Sequence, residues 1–223
     1  DFKTRLDIDC DLDRICVGGG AKQILFVAMM ATVEAGTEVI VPAPYWVSYP
    51  DMVVANGGTP VIVNCDESSR FKLTPEALES AITPRTRWVI LNSPSNPTGA
   101  AYTAEELRAL GEVIKRHPDV LVMCDEIYEH INFEGKHESL AQFPDVYEQV
   151  VTVNGVSKAW AMTGWRLGYI GAPKSIAAAC TKVQGQFTSG TCSITQKAAI
   201  AAMEADPDVL KDMITAFKER RTL

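Results

Sequence analysis

Lys158 stands in the run Val156-Ser157-Lys158-Ala159-Trp160, an amine among apolar and aromatic neighbours. Such surroundings favour the neutral amine, which can condense with an aldehyde to form a Schiff base. A surface lysine lying along apolar neighbours is the plainer reading of the same residues. Arg166 sits in Thr163-Gly164-Trp165-Arg166-Leu167-Gly168-Tyr169. A charge inside an apolar run needs an anion, and the guanidinium fork suits a phosphate. An ion pair with one of the many acidic side chains would also serve. Asp125 closes the apolar run Val120-Leu121-Val122-Met123-Cys124. Buried there, it needs a cationic or hydrogen-bonding partner, and a protonated pyridine nitrogen would answer. Tyr128 could reach the neighbouring ring oxygen, and Asn96 could donate to the same atom. Trp46 offers a flat face for ring stacking, although core packing is the ordinary use of Trp46 and Tyr128 alike. Gly18-Gly19-Gly20-Ala21-Lys22-Gln23 opens a helix, and small residues at a helix N-terminus let backbone N–H groups approach an anion. It is not a Walker A loop, and a flexible turn is the alternative.

These residues follow the ends of predicted strands. Short β-branched runs read as buried strands at Glu38–Val41, Val61–Val63, Arg87–Leu91, Val120–Met123, Val150–Val153 and Leu167–Ile170. Between them lie helical patterns. Gln23–Ala35 is apolar, with Gly36 as its stop. Tyr45–Asn56 is interrupted by Pro50. Thr74-Pro75-Glu76 caps a helix to Ile82, and the capping box Thr103-Ala104-Glu105-Glu106 opens one to about His117. Ser175–Gln186, Ser193–Ala205 and Val209–Lys218 are also helical. The alternation predicts an α/β fold with a mostly parallel sheet. Ligands of such sheets sit at the carboxyl ends of strands. Pro44-Tyr45-Trp46, Ser93 to Gly99, Asp125 to Tyr128 and Asn154 to Lys158 all fall there.

Taken together, the residues supply a phosphate cup, an amine, an acid for a pyridinium, a donor for a phenolic oxygen and a stacking ring. That set describes pyridoxal 5′-phosphate (PLP). The chain resembles the large, PLP-binding domain of fold-type I, class I/II aminotransferases, in particular bacterial aspartate aminotransferases of the Iβ type. The resemblance rests on Gly20-Ala21-Lys22-Gln23, Pro44-Tyr45-Trp46-Val47-Ser48-Tyr49, Ser93-Pro94-Ser95-Asn96-Pro97-Thr98-Gly99, Asp125-Glu126-Ile127-Tyr128 and Ser157-Lys158 through Trp165-Arg166, and it covers residues 1–223. It implies a three-layer α/β/α domain with a mostly parallel mixed sheet. It implies Lys158 as the Schiff-base amine that moves the substrate proton, Asp125 on the pyridine nitrogen, and Tyr128 and Asn96 on the ring oxygen. Trp46 would stack on the ring. Ser157, Arg166 and the backbone of Gly20, Ala21 and Lys22 would hold the phosphate. Relatives often carry Gly where Ala21 stands, and a backbone contact survives that change. The resemblance also implies an amino acid and a 2-oxo acid as substrates, aspartate and 2-oxoglutarate foremost, and a homodimer. The Thr188-Ser189-Gly190 turn resembles a loop that approaches the neighbouring subunit's site. In the family the arginine that clamps the substrate carboxylate lies in a C-terminal small domain, and no residue here matches it. The chain is therefore expected to be a fragment of a longer protein, without that domain and without the family's N-terminal segment. Another PLP enzyme on this scaffold, such as a lyase, and a non-catalytic PLP-binding sensor are the alternatives.

Composition narrows the rest. The 223 residues include 28 acidic and 21 basic side chains, a formal net charge of −7, with 47% hydrophobic residues. That excludes disorder, and 15 Gly and 12 Pro without period exclude collagen-like repeats. The length suits one large domain or one and a half. Nucleic acid is not expected as a partner, because the only basic cluster is Lys218-Glu219-Arg220-Arg221 at a helix end. No run approaches the ~18 apolar residues that suggest a membrane helix. The chain opens at Asp1-Phe2-Lys3 without a signal-peptide pattern. Six cysteines without a CxxC pair read as reduced core thiols of a cytoplasmic protein. No metal-ligand spacing stands out.

Overall fold

The computed structural model describes residues 8, 10–133 and 135–223. Seven strands form one sheet: β1 Ile15–Gly18, β2 Glu38–Ala43, β3 Thr59–Asn64, β4 Thr86–Asn92, β5 Leu121–Asp125, β6 Val150–Gly155 and β7 Gly168–Gly171. Their order is β1-β7-β6-β5-β4-β2-β3. All neighbouring pairs are parallel except β1–β7 and β7–β6, so β7 alone runs against the rest.

Every residue of β5 and β6 is buried, as strands covered on both faces require. Alternate side chains enter two separate cores. Val39, Val41, Trp88, Ile90, Met123, Val151, Val153 and Ile170 pack with helices α1 (Ala21–Met30), α2 (Ser48–Ala55) and α5 (Lys174–Gly185). Ile40, Val89, Leu91, Val122, Cys124 and Val150 pack with α3 (Pro75–Ala81) and α4 (Ala104–Ile114). The result is three layers, helices over both faces of a mixed, mostly parallel sheet. Helices α6 (Ser193–Glu204) and α7 (Lys211–Arg221) complete the chain.

The predicted strands are all present, and β1 was not anticipated. The apolar run after Gln23 leaves the helix at Met30 rather than Ala35. Beyond it Thr32 turns back, its Oγ1 donating to Ala28 O and accepting from Trp88 Nε1 at 2.8 Å. The second helix starts at Ser48, not Tyr45, which puts Pro50 in a first turn where its missing N–H costs nothing. The caps at Thr74 and Thr103 form as expected. Asp206 caps a 3₁₀ turn, Pro207–Leu210, so the last helix begins two residues later than expected. All six cysteines are free, but Cys10 is half-buried and Cys192 exposed, so only Cys16, Cys65, Cys124 and Cys180 are core thiols. Among the described residues no helix is long and apolar enough to cross a membrane. Asp1 to Phe2-Lys3 lies outside the described residues.

Register is what positions the site. Asn92 at the end of β4 pairs with Asp125 at the end of β5, which pairs with Val153 in β6. The loops carrying Asn96, Tyr128 and Lys158 therefore leave the sheet side by side. Gly168 pairs with both Gly155 and Gly18, which brings the segment before β7, with Arg166, against the turn at Gly20.

Candidate active site

A cavity of about 270 Å³ opens at these strand ends. Of the residues singled out in sequence, Ala21, Lys22, Trp46, Asn96, Asp125, Tyr128, Ser157, Lys158 and Arg166 line it, and Gly20 lies beneath Arg166. They come from five separate stretches of chain.

At the inner end, Asp125 is buried with 4% exposure. Tyr49 Oη donates to its Oδ2 at 2.8 Å, and the Ile127 N–H donates to Oδ1 at 3.3 Å. Burial pushes the Asp125 carboxyl up to about 6. The two hydrogen bonds and the Lys158 charge pull it down, while the neighbouring Glu126 charge pushes it up. Tyr49 is itself held well above the usual phenol range by burial and by Asp125, so it stays protonated and keeps its hydrogen for the carboxylate. Asn92 Nδ2 donates to the Asp125 carbonyl at 2.9 Å, while Asn92 Oδ1 accepts from the Asn96 N–H at 2.7 Å. Asn92 thus ties the Asn96 loop to the strand end beneath it.

On one side Lys158 Nζ lies 5.6 Å from the centre of the Tyr128 ring. On another, Trp46 meets Tyr49 edge to face at 5.3 Å, and Lys22 Nζ lies 4.7 Å from the Trp46 ring. At the outer end, Arg166 is exposed rather than enclosed in an apolar run. It turns at φ 53°, and its Nη1 donates to Thr163 O at 2.8 Å. The guanidinium lies close against Gly20, where a Cβ would stand 2.4 Å from Nη2. Gly20 is the N-cap of α1 at φ 100°, and no side chain caps that helix. Its own N–H bonds Gly18 O at 2.8 Å. The amides of Ala21 and Lys22 lie in the first turn, where a helix leaves its N–H groups without intrahelical carbonyls. A Cβ on Gly168 would lie 2.2 Å from Ala21 N, so only glycine lets β7 press this close.

The sequence model of the aminotransferase class I and II family matches residues 4–223. The chain belongs to this family. Its enzymes depend on PLP. Among curated relatives, the aspartate aminotransferase of Rhizobium meliloti is 54% identical over all of this chain and 55% of its own length. The aspartate/prephenate aminotransferase of Cereibacter sphaeroides is 53% identical over 94% of this chain and 53% of its own. The crystal structure of the Rhizobium meliloti aspartate aminotransferase superposes with a TM-score of 0.97 at 51% identity, covering 99% of this chain and 56% of that one. The chain thus spans little more than half the length of these aminotransferases.

Tyr49, Asn92 and Thr163 carry site geometry that sequence reasoning did not assign. Tyr49 stands three residues after Trp46, one helical turn on, and that spacing was the available signal. Asn92 is the last residue of its strand, directly beside Asp125.

Proposed function

We propose that this chain is the PLP-binding large domain of an aminotransferase that moves the amino group between an amino acid, L-aspartate first, and a 2-oxo acid, 2-oxoglutarate first. The observation that carries the proposal is one cavity lined by an amine, a buried carboxylate, a guanidinium and a phenol. The donor set fits PLP. Asp125 can face a pyridinium, Tyr128 and Asn96 a ring oxygen, Trp46 a ring face, and Ser157, Arg166 and the Ala21 and Lys22 amides a phosphate. Bound there, PLP would supply an aldehyde that amines condense with and a pyridinium ring that takes up an electron pair.

Lys158 is then the residue that moves protons. With PLP bound, its Nζ would be the amine that holds the aldehyde and, when free, the base placed to move a proton from the substrate Cα. Above about pH 6 Asp125, with Tyr49 donating to it, would present a carboxylate able to hold a ring nitrogen protonated. Arg166, close against Gly20, would hold the phosphate and so help keep the ring in line with Lys158. The clamp for the substrate carboxylate is assigned to the part of the relatives' length that this chain does not span. We assign the whole protein to a homodimer, as the family resemblance implies. The six free thiols of this chain fit a reducing compartment, which we take to be the cytoplasm.

The test is the visible absorption of the chain mixed with PLP. A pH-dependent band that Lys158→Ala abolishes supports the reading. A Lys158→Ala variant with the same band, or transamination by that variant in the whole protein, refutes it.

A further inference from the structure

Three acidic side chains crowd the turn that carries Tyr128. Asp125, Glu126 and Glu129 are 4%, 3% and 6% exposed. Carboxylates this deep need counter-charges, since each otherwise raises its neighbours' hold on protons. Asp125 has the Lys158 charge and, in the proposed function, a pyridinium. Glu126 points away from the cavity, and His137 Nε2 lies 3.1 Å from its Oε2. His137 is itself buried to 8% and arrives from a loop eleven residues further along the chain. The polar atoms of Glu126, Glu129 and His137 lie within 4.8 Å of one another. Glu129 is held differently. Its Oε1 accepts from Asn154 Nδ2 at 2.7 Å and lies 3.7 Å from His130 Nε2. The His130 ring in turn stacks edge to face on Trp160 at 4.7 Å.

We propose that His137 is a positioning residue for this site. Its imidazolium neutralises Glu126, and so keeps Asp125 ionised for the cofactor without touching it. The inference rests on the function proposed above. His137 Nε2 and Glu126 Oε2 stand at ion-pair distance without hydrogen-bond alignment, so what the histidine offers Glu126 is charge rather than a directed bond. A charged His137 then cancels a like charge on the residue next to Asp125, in a low-dielectric interior where such a neighbour acts strongly. Among the described residues, other ionisable groups near the cluster include Cys124 and Asp125 of β5, Glu129 and His130 of the turn, and Lys158 after β6, whose charge acts on Asp125. The Cys124 thiol is pushed well above its usual range by burial first and by the Glu126 and Asp125 charges next, so it stays neutral.

The test measures the PLP dissociation constant of this chain from pH 5.5 to 8.5, using the visible band. His137→Gln keeps size and a hydrogen-bond donor and removes the charge. The acid limb of binding should then move up by about one pH unit, weakening binding about fivefold at pH 6 and less than about twofold at pH 8.5. Glu126→Gln should move the limb the opposite way, and in that background His137→Gln should shift it little. Equal weakening at every pH, or a shift that survives in Glu126→Gln, would mean a merely structural contact and overturns the inference. If the histidine variant does not fold, Glu126→Gln alone decides, because an unmoved limb refutes the coupling. A wild-type chain with no Lys158-dependent band at any pH would instead refute the proposed function, and the two failures are distinguishable.

Discussion

A carboxylate with 4% of its surface exposed holds its proton to higher pH than one in water. For Asp125 the folded value is about 6, against 3.8 for an unperturbed aspartate. Above about pH 4 the unfolded chain has released this proton while the folded chain still holds it. Stability therefore falls from about pH 4 to pH 6 and stays lowered above that, by roughly 3 kcal/mol for a shift of about two units. The site carries a cost that only a cation at the carboxylate recovers. Asp125→Asn removes the cost and keeps an acceptor for Tyr49. Without cofactor, the variant should be more stable than the parent by about 1–3 kcal/mol at pH 7.5. The gain should vanish near pH 4. Urea unfolding at both pH values checks this, and equal stability at pH 7.5 would sink it. PLP affinity should fall in the same variant, the expected trade between stability and function. The sequence pointed to Asp125 because a charge at the end of an apolar strand is conspicuous. It could not point to Tyr49 as strongly, since an aromatic on an apolar helix face is ordinary packing until its hydroxyl is seen 2.8 Å from a carboxylate.

The elements were legible where their residues face one kind of environment. Strands β5 and β6, and β2 over Glu38–Val41, are buried on both faces, so short β-branched or apolar runs marked them. The capping box at Thr103 is a local hydrogen-bond pattern and formed where its residues stand. Strand β1 escaped because four residues, Ile15-Cys16-Val17-Gly18, hold no period, and only pairing with β7 makes them a strand. The reversed direction of β7 was equally hidden, for direction depends on the path of the chain and not on side-chain pattern. Yet this β1–β7 corner builds the outer end of the cavity. Gly20 ends the turn after β1, opens α1 and seats the guanidinium of Arg166 from the segment before β7. Gly20→Ala adds a methyl at φ 100° and displaces the guanidinium. The chain should lose at least about tenfold in PLP affinity, the scale of one charge-assisted hydrogen bond. Binding of pyridoxal, which lacks the phosphate, should be unchanged within about twofold. Parallel titrations with the two ligands decide the point, and equal losses would show that the turn shapes the whole cavity instead.

At the scale of the molecule, cofactor binding and catalysis separate. The two cores on either side of the sheet lie within the described residues, and the cavity is lined by the strand ends, the loops that follow them and the first turns of α1 and α2. In the proposed function, such a domain would hold PLP with its own residues. The chain nevertheless covers only 55% of the length of its Rhizobium meliloti relative. Lys22, Lys158 and Arg166 are the cations lining the cavity. In the proposed function Lys158 is the reacting amine and Arg166 serves the phosphate, so no guanidinium is left to grip the α-carboxylate of an amino acid. An amino acid without that grip reaches Lys158 in many orientations, and a misplacement of about 1 Å can cost on the order of a hundredfold in rate. The chain should therefore form its visible band with PLP and convert bound cofactor to the amine form with L-aspartate at least about a hundredfold more slowly than a full-length relative. Stopped-flow absorbance on both proteins under one set of conditions measures the ratio. A chain that matched the full-length enzyme would place the carboxylate grip inside these 223 residues, with Lys22 as the remaining cation to test.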